Sequence, residues 1–288
     1  MYQTEARTEL GPDSLLWRYA GDTRIAFLGG TIGLLQLMHP AIGAGVLEHS
    51  NFFDDPTDRV FRSLPRILGA VYDDDAVATG DEVRDFHREI KGRLGDGGRY
   101  HALDPATFWW AHATFQFMAE QVVDRFDAHR LTPAERDQLY AEGLEWYRRY
   151  GVSERAVPPD RRAFQAEWDR VCAEVLELND AVRFVLHILD QRVLPPFDDR
   201  AAMPAWLRPL ANLLPVRFAA ARASRVVAIG GLPAVVRERF GIRWSRRDAI
   251  ELAVLERAVQ VGWRLVPASV RWQPRAAAGW QRTTGRLP

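Results

Sequence analysis

Apolar residues run almost without a charge from 25 to 47, IAFLGGTIGLLQLMHPAIGAGVL, and His39–Pro40 splits the run. Proline removes a backbone donor and restricts the residue before it, so two buried helices meeting at a break are expected. Downstream, apolar positions recur at helical spacing. Val83, His87, Ile90 and Leu94 form one stripe, and Phe108, His112, Phe115 and Ala119 form another. Helix starts are punctuated as capping chemistry requires. Asp22 stands before the apolar run, and Asp55–Pro56 before a helix containing Pro65, where a kink or a break near Arg62 is expected. Thr79 with Glu82, Asp104–Pro105, Thr132 with Glu135, and Ser245 with Asp248 mark four more starts. No strand alternation and no fixed-period repeat appear. The pattern predicts an all-α chain of about ten helices.

Composition narrows the class of function. The formal net charge is zero, which leaves no electrostatic footprint for nucleic acid. Lys91 is the only lysine among 38 basic residues, and Cys172 is the only cysteine. One cysteine excludes an internal disulfide and any multi-cysteine metal site. Cys172 lies among helical apolar residues, which predicts a buried inert thiol. Residues 1–12 are polar, lack a basic start and apolar core, and are expected to be disordered. A cytoplasmic location is therefore expected. The break at His39–Pro40, the glycines and the lack of an orienting basic flank argue against a membrane span at 25–47. Residues 13–266 are expected to form one helical domain, with 267–288 a loose tail.

The histidines carry the chemical signal. His187 shares a polar helix face, and His101 and His129 fall in loops. His39, His49, His87 and His112 each sit in an apolar or motif-like setting. Each alone is ordinary as a hydrogen-bonded core histidine. Together with Arg59 and Arg62 beside the apolar segment, they call for partners that a buried anionic or metal-bearing cofactor supplies. Asp73, Asp74 and Asp75 lack the spacing of a calcium loop and are expected to form a solvated turn.

Several ordered strings carry a resemblance. LLQLMHPAIGAGV continues into EHS and the DP–R of 55–59. Then follow V–FH–EIKG at 83–92, Y–ALDP at 100–105, WWAHAT at 109–114, LTPAER at 131–136 and GI–WS–R at 241–246. Across residues 14–265 the chain resembles the MpaB-like and rubber-oxygenase-like bacterial family. That resemblance implies a globin-like helical core around a buried pocket for haem b. In the rubber oxygenases a proximal histidine lies downstream of an Arg–x–x–Lys–Thr motif. Here the corresponding residues are Arg59, Arg62 and Ser63, and the downstream histidine is His87. Arg62 stands where the family has lysine, and a guanidinium ligates iron poorly. The resemblance further implies His87 as the iron ligand, with Arg59, His39, His49 and His112 around the cofactor.

Two readings follow. One is a haem-dependent oxygenase using dioxygen on a small apolar, isoprenoid-like substrate, with Phe108, Trp109, Trp110, Phe115 and Phe117 as cavity candidates. The other is a cofactor-free helical protein that binds a lipid-like ligand or a protein partner. The oligomeric state is left open by the sequence.

Overall fold

The computed structural model describes residues 9–54, 58–196 and 208–288, with only the backbone described at 58–62. Chain order gives α1 (Leu15–Tyr19), α2 (Ile25–Leu37), α3 (Pro40–His49), α4 (Asp58–Tyr72) and α5 (Ala76–Asp85). A short hairpin of β1 (Lys91–Arg93) and β2 (Arg99–His101) leads into α6 (Pro105–Phe126) and α7 (Pro133–Arg148). Next come α8 (Arg161–Arg170), a π-helical turn (Val171–Val175), α9 (Asp180–Leu189), α10 (Arg208–Ala211) and α11 (Leu214–Gly231). The last four are α12 (Ala234–Arg239), α13 (Arg246–Gly262), α14 (Ala268–Arg271) and α15 (Pro274–Thr284). The all-α expectation holds, with more and shorter helices than the periodicity suggested.

The apolar run is the centre of the fold. Helix α2 buries Ile25, Leu28, Thr31, Leu34 and Leu35 and packs chiefly on α11 and α6. The α2–α11 contact is close because it uses small residues. A Cβ on Gly231 would stand 2.2 Å from the Thr31 hydroxyl, which itself donates to the Ala228 carbonyl at 3.0 Å.

Helices α2 and α3 meet at 99°, and among the described residues no single helix is long and apolar enough to cross a membrane. His39, at ψ 125°, is the N-cap of α3, and Pro40 is its first residue. A break at such depth strands the last carbonyls of α2, which cost free energy unless paired. Each finds a donor. Trp110 Nε1 donates to Leu35 O at 3.0 Å, and His39 N to Gln36 O at 3.1 Å. The Asn179 side-chain amide donates to Leu37 O at 2.7 Å, and Glu177 N to Met38 O at 2.8 Å. Three of those donors are distant in sequence, so the break is a tertiary feature. Asn179 leaves no room opposite: a Cβ on Gly43 would lie 2.3 Å from its Nδ2.

Some expected boundaries move. Helix α5 is capped by Asp75, not by Thr79, and it ends at Asp85. His87, Ile90 and Leu94 therefore do not continue its apolar stripe. His87 sits in the turn after the helix, and residues 91–101 form the hairpin. Ser14 caps α1, and Arg24 rather than Asp22 precedes α2. Asp22 instead accepts a bidentate pair from the Arg24 guanidinium. Helix α4 runs unbroken through Pro65, while Asp55–Pro56 lies outside the described residues. Residues 267–288, expected to be loose, form α14 and α15. The latter buries Trp280 and Ala276 and packs on α4. Asp73 and Asp74 receive Arg275 and Arg282 from α15, so the acidic turn anchors the C-terminal helix.

Asn179→Ala is expected to strand the Leu37 carbonyl and to remove the N-cap that accepts from Val182 N. The loss is about 2–4 kcal/mol of unfolding free energy, read from urea denaturation. A change of under half a kcal/mol would mean that the break holds without this clamp.

Candidate active site

The first turns of α6 organise the histidines. Asp104 caps the helix, its Oδ1 accepting from Ala106 N at 3.0 Å. Three successive aromatic residues then each touch a different imidazole. Phe108 meets His87 edge-on at 5.7 Å, Trp109 meets His112 at 5.6 Å, and Trp110 stacks on His39 at 6.4 Å between ring centroids. Successive helical residues turn by about 100°, so Phe108 and Trp110 point about 200° apart. His87 and His39 consequently lie on opposite sides of α6. His49 is elsewhere again, exposed at the end of α3 with Nε2 3.3 Å from Lys91 O. The four do not converge, and among the described residues no group of three or more His, Cys, Asp or Glu is placed to hold a metal ion.

Each ring has its own chemistry. His112 is buried, and its Nε2–H donates to Gly143 O at 2.9 Å. Trp146, Tyr147 and Tyr150 surround it edge-on. Its Nδ1 has no hydrogen-bond partner, and burial pushes its pKa down to about 3. No planar macrocycle can reach a ring enclosed on that packed α6–α7 face. His39 is partly buried, with Nδ1 lacking a partner and a pKa lowered to about 4, chiefly by desolvation.

His87 differs from both. Its Nδ1 lies 2.7 Å from Val83 O, one helical turn back. A carbonyl only accepts, so Nδ1 carries the proton of this bond, and Nε2 is the nitrogen that an iron would take. Ligating imidazoles are held in this way, with the second nitrogen donating to a backbone carbonyl or carboxylate. On donor chemistry, His87 fits a haem iron. Ser63 is partly buried on α4, and the side chains of Arg59 and Arg62 lie outside the described residues.

Two cavities border His39. One is an open cleft of about 810 Å³ between the β-hairpin and the starts of α3 and α6. The other is a slot of about 100 Å³ walled by Trp109, Trp110, Phe164 and Trp168. His39 and Val175 line both. The sequence reading proposed Trp109 and Trp110 as cavity residues, and both wall the slot. It missed the other walls. Phe164 and Trp168 come from α8, and Val171 and Val175 from the π-helical turn, a motif frequent at functional sites. An extra residue in a helix leaves no compositional mark, so no signal announced it. The enclosed globin-like pocket expected around the cofactor is not what these cavities form; the larger is open to solvent. Cys172 is buried, its thiol pushed up to about 12 by desolvation, as an inert core residue should be.

The two depressed imidazoles set an acid limit on stability. The unfolded chain protonates them near pH 6.5, the folded chain only near 4 and 3. Between those values the unfolded state binds more protons, so stability rises with pH. It is fully present above 6.5 and is lost as pH falls towards 4, by about 1.4 kcal/mol per unit of each shift. Urea midpoints taken from pH 7 to 4.5 should fall more steeply for the native chain than for His39→Asn. Parallel curves would remove His39 from this explanation.

No curated protein matches the chain, and no solved structure does. A family model does match, over residues 17–261, from the third residue of α1 to the last but one of α13. The chain belongs to the family described as ER-bound oxygenase mpaB/B′/rubber oxygenase, catalytic domain.

Proposed function

We propose that the protein is a haem b-dependent oxygenase acting on an apolar substrate, with His87 as the iron ligand. The observation that carries this reading is the Nδ1–H bond from His87 to Val83 O at 2.7 Å. It fixes the tautomer and the ring plane that ligation needs, in a member of an oxygenase family. Haem, when bound, supplies the iron at which dioxygen is activated.

The chain's own residues do the rest. Val83 holds the His87 proton at Nδ1, and the edge of Phe108 limits rotation of the ring. Arg59, Arg62 and Ser63 follow one another on α4, which packs on the helix leading to His87. By the order of the family motif they would face the cofactor, with Arg59 near a propionate or the distal face. With arginine where the family has lysine, that side offers hydrogen bonds and charge in place of a second protein ligand. His39 at the start of α3 and His112 on α6 act as neutral supporting side chains, and His49 lies too exposed to share the site.

Loading the purified chain with haem and substituting the histidines one at a time tests the assignment. His87→Ala should lose the Soret band while keeping its helical circular dichroism. His39→Ala and His112→Ala should retain most of the haem. Full haem occupancy in His87→Ala with loss in His112→Ala would move the ligand to α6. A native chain that stays colourless after haem supplementation would favour the cofactor-free, lipid-binding reading.

A further inference from the structure

The β-hairpin presents an unusual face. In its antiparallel register Lys91 stands opposite His101, and Arg93 opposite Arg99. Side chains two apart on a strand share a face, so these four basic residues project together. All four line the 810 Å³ cleft. Like charges directly opposite each other across a ladder are destabilising. Among the described residues neutralisation is sparse. Lys91 pairs with Glu89 at 3.0 Å, while Arg93 reaches only Gly97 O at 3.5 Å. Among the described residues Asp104 is the one carboxylate in the lining, and it is engaged in capping α6. The opposite face of the hairpin carries no such charge: Tyr100 is buried and its hydroxyl donates to Glu48 Oε2 at 2.6 Å. Gly97, at φ 89°, turns the chain so that the two arginines can meet.

The rest of the cleft is of another kind. Pro40, Ala41, Leu94 and Val175 contribute apolar surface, and at His39 and Val175 the cleft abuts the aromatic slot. A concave site with a cationic end and an apolar interior recognises an anion attached to a hydrocarbon. We propose that this cleft binds an amphiphilic monocarboxylate, its head group held between Arg93 and Arg99 and its chain directed past His39 towards the slot. Taking that ligand as the substrate rests on the oxygenase reading; the binding itself does not.

The probe is decanoate, with decan-1-ol as its uncharged counterpart, titrated calorimetrically into the full chain. Decanoate should bind at one equivalent, and decanol about tenfold more weakly, the loss expected from one charge-assisted hydrogen bond. Arg99→Gln and Arg93→Gln should each weaken decanoate about tenfold, leave decanol unchanged, and leave the thermal midpoint of the ligand-free chain equal or higher, since they relieve a like-charge pair. A merely structural role for these arginines would lower that midpoint. His87→Ala should bind decanoate as the native chain does, which separates failure of this proposal from failure of the haem assignment. Equal binding of decanoate and decanol, or no binding of either, would overturn it. So would displacement of decanoate by stoichiometric haemin, because the arginines would then serve the propionates of the cofactor.

Discussion

The break at His39–Pro40 is the constraint on which the rest depends. Proline at position 40 ends α2 while its last carbonyls are still deep in the protein, and each must be paired or the bend is not tolerated. The donors come from α6, from the segment after the π-helical turn, and from the cap of α9. One requirement thus ties together elements that lie far apart in the chain. The same bonds place His39 at the wall between the cleft and the aromatic slot, and they hold Trp110 against its ring.

From that frame the division of labour around α6 follows. A helix that presents phenylalanine and two tryptophans in succession sends them in three directions, and each meets a different imidazole. One ring is sealed in the α6–α7 contact, one borders the cavities, and one stands in a turn with its Nδ1 proton held by a backbone carbonyl. Only the last combines partial exposure with a fixed tautomer. Burial alone keeps the other two neutral, which suits packing and apolar binding more than proton transfer.

Much of this was legible in the residues. The caps at Asp104, Thr132 and Ser245 and the His39–Pro40 break stand where the local signals put them, because such signals act within one helical turn. The family order around His87 was legible for the same reason, as a string. What failed was extrapolation along a period. Val83, His87, Ile90 and Leu94 fit a helical stripe, yet the chain leaves α5 at Asp85 and forms a hairpin around a Gly-rich turn. There a three-residue ladder overrides a weak helical pattern. The sequence 91–101 does carry a signal in hindsight: alternating basic residues on either side of GDGG place their charges on one face. The slot was only half legible, since its far wall comes from residues more than fifty positions from Trp110.

The central claim is that one imidazole of this chain, His87, holds a haem iron. Titration of the purified native chain and of His87→Ala with haemin, followed by electron paramagnetic resonance of the ferrous nitrosyl adduct of each, tests it most directly, since only the native chain should show an axial imidazole. The prediction is a Soret band that saturates at one equivalent, with nitrogen hyperfine structure in the ferrous nitrosyl adduct showing an axial imidazole. A titration that shows only the broad absorption of unbound haemin, or an adduct without an axial nitrogen ligand, would contradict it.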